Sequence, residues 1–257
     1  VYSDLLRNHK MKDPFYRDNE MDACRLMDCD YIYERTFVLD ASLCSHDTLL
    51  LECDGLDSLC HIFINGREIA FCNNMHRVWT FDIRREVRVG GNHIALHFDS
   101  PNRFVREAYA QCKADGASDC TEGFPHLRKA HCMFGWDWGP RLPDAGIWRN
   151  IQILAIDKAR LLSVYVCQAH EPGKVTLSFE PEIQTYWPAD NKNGYTLTIS
   201  VIAPDGQSYA SDGAPIVIRN PQLWWPNGYG AQPLYHVQAT LYDDTQTLDC
   251  WTRQVGL

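Results

Sequence analysis

HCMFGWDWGPRLPDAGIWRNIQI, residues 131–153, places three tryptophans, three glycines and two prolines around Asp137 before passing into an apolar–polar alternation. Glycine admits backbone angles closed to other residues, and proline fixes φ while removing a donor. A segment so dense in both needs unusual backbone angles, and reads as a rigid, Trp-stapled corner between two strands.

Upstream of it the chain is written in short strands. YIYERTFVL (Tyr31–Leu39), TLLLEC (Thr48–Cys53) and LCHIFI (Leu59–Ile64) are rich in β-branched, aromatic and aliphatic residues. Asn65-Gly66 follows, and this pair suits the two positive-φ positions of a type I′ turn, so REIAFC (Arg67–Cys72) should return as the hairpin partner. HIALHFD alternates, with Ile94, Leu96 and Phe98 on one face and His93, Ala95, His97 and Asp99 on the other. Residues 1–30 look irregular and polar, and the one stretch of helical character lies near Arg103–Lys113. Many short strands at this spacing predict a sandwich or jelly roll.

The second part repeats the pattern. Val175, Leu177 and Phe179 fall on one strand face, as do Tyr195, Leu197, Ile199 and Val201, and Tyr235, Val237, Ala239 and Leu241. Pro188, Asn193-Gly194, Pro204-Asp205-Gly206 and Asn227-Gly228 punctuate them. About seven strands in about 100 residues suit an immunoglobulin-like sandwich, although the paired Cys and central Trp of antibody domains are missing. The expected fold class is therefore all-β, with two domains, 1–156 and 157–257.

Bulk properties exclude several functions. The net charge of -9 opposes a nucleic-acid partner, which requires clustered Lys and Arg against phosphates. No apolar run has the length of a membrane span, and the first residues are too polar for a signal peptide. Eleven cysteines, an odd number without any C-x-x-C pair, suggest free thiols rather than a disulfide framework or a zinc site. Cys53, Cys60, Cys72 and Cys132 are expected as small buried hydrophobes, while Cys112 and Cys120 flank a loop that an oxidising compartment could close. With no Asn-x-Ser/Thr sequon either, the expected location is cytoplasmic. Neither a metal nor a cofactor is expected, since no ligand spacing or phosphate-binding glycine loop is present.

The segment GWDWGPRLP-x-AGIWR resembles the signature loop of the β-mannosidases of glycoside hydrolase family 2. DPFYRDNE, YERTFVL, GLDSLCHIFINGREI and NNMHRVWTFDI are similar to successive landmarks of that family's N-terminal jelly-roll (galactose-binding-like) domain. NPQLWWPNGYGAQPLY (Asn220–Tyr235) resembles an element of its second domain, and is read here as a Pro- and Trp-locked edge crossing. The resemblance implies that Trp136, Asp137 and Trp138 are substrate-binding residues of a sugar pocket. Asp137 would accept hydrogen bonds from hydroxyls of a terminal mannose, and a neighbouring indole would cover an apolar ring face.

Catalysis is a different matter. A retaining glycosidase needs two carboxylates about 5 Å apart, and in the family both are glutamates of a (β/α)₈ barrel that follows the second sandwich. Here the final RQVGL resembles the strand leading into that barrel, and no strand–helix alternation is present to build one. Asp4, Asp13, Glu34, Glu52, Asp54 and Asp57 read as a scattered, solvated set. The chain is thus expected to be the non-catalytic N-terminal part of a retaining β-mannosidase, with a β-mannoside as substrate and the catalytic barrel as its partner. The alternatives are a stand-alone carbohydrate-binding module, or the same part of a β-galactosidase or β-glucuronidase.

Overall fold

The computed structural model describes residues 1–186, 194–244 and 246–257. Pro188 and Asn193, two of the expected turn positions, lie outside them. The chain divides into two compact units, Val1–Ala155 and Ile156–Leu257.

In the first unit the strands are β1 (Tyr31–Leu39), β2 (Thr48–Cys53), β3 (Leu56–Asp57), β4 (Leu59–Ile64), β5 (Arg67–Asn73), β6 (Trp79–Asp82), β7 (Gly90–Phe98), β8 (Phe134–Trp136), β9 (Gly139–Arg141), β10 (Gly146–Ile147) and β11 (Ile151–Ile156). A four-stranded sheet in the order β1-β7-β4-β5 and a three-stranded sheet β11-β2-β6 supply the two faces of a sandwich, and β10 pairs with β3, β8 with β9. The hairpin between β4 and β5 turns at Asn65 and Gly66, whose φ angles of 50° and 83° are both positive. That is the conformation expected of the pair. Leu49, Leu51, Ile62, Ile64, Leu96 and Phe98 fill the core between the sheets.

The polar N-terminal region is not irregular. It forms α1 (Tyr2–Arg7) and α2 (Asn19–Leu26), which send Tyr2, Ala23 and Met27 into the core of the first unit. Helices of six and eight residues are too short to display a 3.6-residue period, and they persist because packing holds them. The Tyr2 hydroxyl donates to the Ala23 carbonyl at 2.9 Å inside that contact. The third helix, α3 (Pro101–Gln111), starts two residues before the expected position. Ser100 caps it by accepting from the Arg103 N–H at 2.9 Å, with Pro101 in the first turn.

The second unit contains seven strands among its described residues: β12 (Ala159–Glu171), β13 (Lys174–Thr185), β14 (Thr196–Ile202), β15 (Ser208–Ser211), β16 (Ile216–Arg219), β17 (Tyr235–Tyr242) and β18 (Thr247–Val255). They form sheets β12-β13-β16 and β15-β14-β17-β18, as in an immunoglobulin-like sandwich. Val175, Leu177, Ile199, Val201, Val237, Ala239 and Leu241 are buried between them, on the faces assigned by alternation.

A buried ion pair lies inside the first unit. The Lys129 ammonium is fully buried and donates to the equally buried Asp57 carboxylate and, at 2.5 Å, to the Asp144 carbonyl. Ser58 Oγ donates to the other Asp57 oxygen at 2.5 Å. Asp57 is therefore not part of a solvated set, as its sequence context suggested. Burial pushes the Lys129 ammonium below its ordinary value, and the adjacent carboxylate opposes that shift.

The eleven cysteines are all free. Cys60 and Cys72 are cross-strand partners in the core, with Cys53 also buried. Burial pushes the Cys53 and Cys72 thiols up to about 12, and Cys60 higher still. Cys132 departs from expectation: it is exposed, because it sits in the single turn His131–Met133 that leads out to the surface.

Two outcomes are expected. Asp57→Ala leaves Lys129 buried without its counter-charge, at a cost of about 3–5 kcal/mol, or roughly 6–20 °C in Tm. The Asp57→Leu/Lys129→Met pair should lose far less than the two single substitutions together, and thermal melts of all four proteins read this directly. Thiol titration should find all eleven groups after denaturation without reductant. In the native protein Cys29, Cys112, Cys132 and Cys250 should react first, and Cys53, Cys60 and Cys72 last.

Candidate functional site

The residues singled out from the sequence lie together at the tip of a short hairpin. β8 and β9 pair Phe134 with Arg141 and Trp136 with Gly139, which leaves Asp137 and Trp138 as the two-residue turn. Trp136 is 46% exposed and Trp138 77%. Asp137 is exposed, and among the described residues its carboxylate accepts no hydrogen bond. Neither of the flanking indole N–H groups has a protein partner among those residues.

The base of the hairpin is the opposite. Phe134 is fully buried in a satellite core with Leu59, Val105, Cys120, Phe124 and Leu127, and its ring lies 6.3 Å from that of Phe124. The Phe134 carbonyl accepts from the Thr121 N–H at 2.9 Å, and the Gly135 carbonyl from Cys120 Sγ at 2.8 Å. Gly135 has φ of 106°, and a Cβ there would stand 2.7 Å from Arg141 Cγ and 3.0 Å from the Asp119 carbonyl oxygen. Only glycine fits. Arg141 closes the other side: its backbone N–H donates to Glu20 at 2.7 Å, and its guanidinium donates twice to the Asp119 carbonyl, at 3.1 and 2.9 Å.

The third tryptophan of the stretch has a different task. Trp148 lies against Gly55, where a Cβ would come within 2.4 Å of the indole nitrogen. Its N–H donates to the Met75 carbonyl at 3.1 Å, and the Arg149 guanidinium sits 4.0 Å from its ring centre. This contact accounts for two of the sequence landmarks, Gly55 and the Asn74–Arg77 segment. Met75 is further fixed by its N–H to the Arg128 carbonyl at 3.0 Å.

Lys129, Asp57, Asp144 and Arg141 support the hairpin and were not picked out from the sequence. Asp144 is held by its own role, accepting from the N–H groups of Tyr2 at 3.0 Å and Ala145 at 2.8 Å. Nothing in a sequence marks a lysine as buried, since lysine is almost always at the surface. Among the described residues no three His, Cys, Asp or Glu side chains converge as metal ligands would. Among the described residues no helix is long and apolar enough to cross a membrane.

Comparison with known proteins follows the two units. Residues 1–149 match the family described as glycosyl hydrolase 2 galactose-binding domain-like, and residues 165–257 match glycosyl hydrolases family 2. The β-mannosidase B of Aspergillus terreus is 29% identical over the whole of this chain, and that of Emericella nidulans 28%. This chain spans 31% of the length of each. Among solved structures, the β-D-mannosidase of Dictyoglomus thermophilum superposes with a TM-score of 0.84 at 27% identity, over 99% of this chain and 32% of that one. A β-glucuronidase of Lactobacillus rhamnosus, 21% identical with a TM-score of 0.64 over 95% of this chain and 38% of its own, shares the fold alone. With more than half of its length matched by one family domain and most of the remainder by another, the chain belongs to glycosyl hydrolase family 2.

Proposed function

We propose that this chain is the non-catalytic N-terminal part of a retaining β-mannosidase, and that the Trp136-Asp137-Trp138 hairpin contributes one wall of its mannose pocket. The observation that carries this reading is the state of Asp137: an exposed carboxylate on a rigid base, flanked by two exposed indoles. Loop aspartates ordinarily tie down their own backbone, and this one does not. Its two oxygens can each accept from one of two vicinal sugar hydroxyls, and bonds to a charged acceptor are the stronger kind. The flat indole faces suit the apolar C–H face of a pyranose.

The chemistry itself belongs to the part of the relatives that this chain does not span. The family resemblance implies that the two glutamates of a (β/α)₈ barrel, one acting as acid/base and one as nucleophile, would lie there. A carboxylate such as Asp137 would orient the sugar and strengthen its grip as charge develops at the anomeric carbon. The cytoplasmic location is proposed on the same footing, from the free thiols and the absence of glycosylation sequons.

Residues 1–257 by themselves should not hydrolyse an aryl β-mannoside above background, and their affinity for mannose should be millimolar at best, about 4 kcal/mol. Turnover that survives repurification, or micromolar binding by calorimetry, would count against the assignment. In the full enzyme Asp137→Ala should lower kcat/KM roughly ten- to several-hundred-fold, as expected for about 1.5–3 kcal/mol of hydrogen bonding to a charged group. Its Tm should stay close to that of the wild type, because the carboxylate holds no backbone group. A large fall in Tm with near-normal kcat/KM would reject the sugar-binding role.

A further inference from the structure

The Asn220–Tyr235 segment was read from the sequence as a locked edge crossing, and the structure shows that its shape is fixed while its aromatic surface is bare. Trp224 is 42% exposed, Trp225 48% and Tyr229 81%, with Leu223 and Leu234 also open to solvent. The backbone beneath them is well tied. The Trp225 N–H donates to the Ala231 carbonyl at 3.0 Å, the Tyr229 N–H to the Pro226 carbonyl at 3.0 Å, and the Gln222 N–H to the Tyr235 hydroxyl at 2.9 Å. Trp225 lies over Gly230 and Trp224 over Gly256, where added Cβ atoms would come within 2.7 and 2.8 Å of the indoles.

Five large apolar side chains in one ordered loop are more than a soluble surface ordinarily leaves together, and such patches mark contact sites. Tyr and Trp also dominate the centres of protein interfaces. The position of the loop selects the occupant. The Trp224 N–H donates to the carbonyl of Leu257 at 2.7 Å, so the patch flanks the point at which β18 leaves the sandwich. Gln168 fixes the same exit by donating to the Gly256 carbonyl at 2.9 Å. In the relatives, about two-thirds of the length lies outside the part this chain spans. A domain continuing from Leu257 would start against these side chains.

We infer that the Leu223–Leu234 loop is the docking surface for the catalytic domain that follows Leu257 in the full enzyme. This rests on the proposed placement of the chain within a longer glycosidase. The loop acts as a preformed aromatic shelf: its geometry costs no further ordering on contact, and burial of its rings holds the second unit against that domain. It binds no sugar.

Hydrogen exchange of residues 220–235, measured by mass spectrometry on the full-length protein and on residues 1–257, tests the inference. Exchange in the loop should be roughly tenfold or more slower in the full-length protein. Equal exchange in the two would overturn it. Tyr229→Asp supplies the second readout, since this ring is the most exposed of the set and holds no part of the sandwich. It should lower the Tm of the full-length protein by several degrees and leave that of residues 1–257 unchanged; an unchanged Tm in both would reject the contact. If sedimentation shows residues 1–257 dimerising, and Tyr229→Asp abolishes that, a second copy is the occupant and the inference fails. Activity on mannosides is not among these readouts, so a wrong substrate assignment would leave protection of the loop intact, and a wrong docking assignment would leave the Asp137 kinetics intact.

Discussion

Lys129 places its ammonium in a fully buried position of the first unit. An isolated ammonium is untenable in such surroundings, so its partners are fixed as firmly as the hydrophobic core fixes its own. Those partners come from two places far apart in sequence: the Asp57 carboxylate in β3, and the Asp144 carbonyl on the return arm of the Trp-rich loop. Asp57 is also the backbone partner of Gly146 in the β3–β10 ladder. The arm that returns from the hairpin is therefore held to the sandwich by a side chain and a ladder together. Tyr33 closes the third side, leaving room at Gly146 for no Cβ without crowding its hydroxyl at 3.1 Å.

What this anchoring makes possible is an aspartate that is not used on its own loop. Asp13, Asp40, Asp82 and Asp205 each accept a backbone N–H two or three residues further on, from Phe15, Leu43, Arg84 and Gln207. In those turns the carboxylate is part of the fold. The turn at Asp137 has its rigidity supplied from below, by Phe134 in the satellite core and by Arg141 on Asp119 and Glu20. The tip residue keeps both oxygens for something else. Preorganisation of this kind is what a binding carboxylate needs, because a side chain that first had to be ordered would lose much of its contribution.

The strands were legible because alternation is a local property: His93–Asp99, Val175–Phe179 and Tyr235–Leu241 each display their buried face within a few residues. The Asn65-Gly66 turn was legible because its backbone demand is met by few residue types. The candidate site was legible as a run of letters, through its resemblance to a family, and its composition alone could not separate a sugar contact from a stapled corner. The helices at Tyr2–Arg7 and Asn19–Leu26 were not legible, since their amphipathicity is spread over two turns and completed by Met27 and Tyr2 packing on distant strands. The Lys129–Asp57 pair was hidden for a stronger reason. Its partners are 72 residues apart, and both residue types are ordinarily exposed.

Tryptophan illustrates how one residue type divides between scaffold and surface. Trp79 and Trp148 donate their indole N–H groups to the carbonyls of Asn74 and Met75, each at 3.1 Å, and each carries an arginine over its ring. These indoles act as struts, with donor and one face already engaged. Trp136, Trp138, Trp224 and Trp225 are 42–77% exposed, and among the described residues none donates its indole N–H to the protein, which is what separates them from the equally exposed Trp148. An indole in that state keeps a donor and a flat apolar face for contact with another molecule or domain. Both exposed pairs stand on backbone that glycine and hydrogen bonding have made rigid, at Gly135 in one loop and at Gly230 and Gly256 in the other. Rigidity under a bare aromatic surface would present that surface at a fixed place, which is what both proposed contacts require.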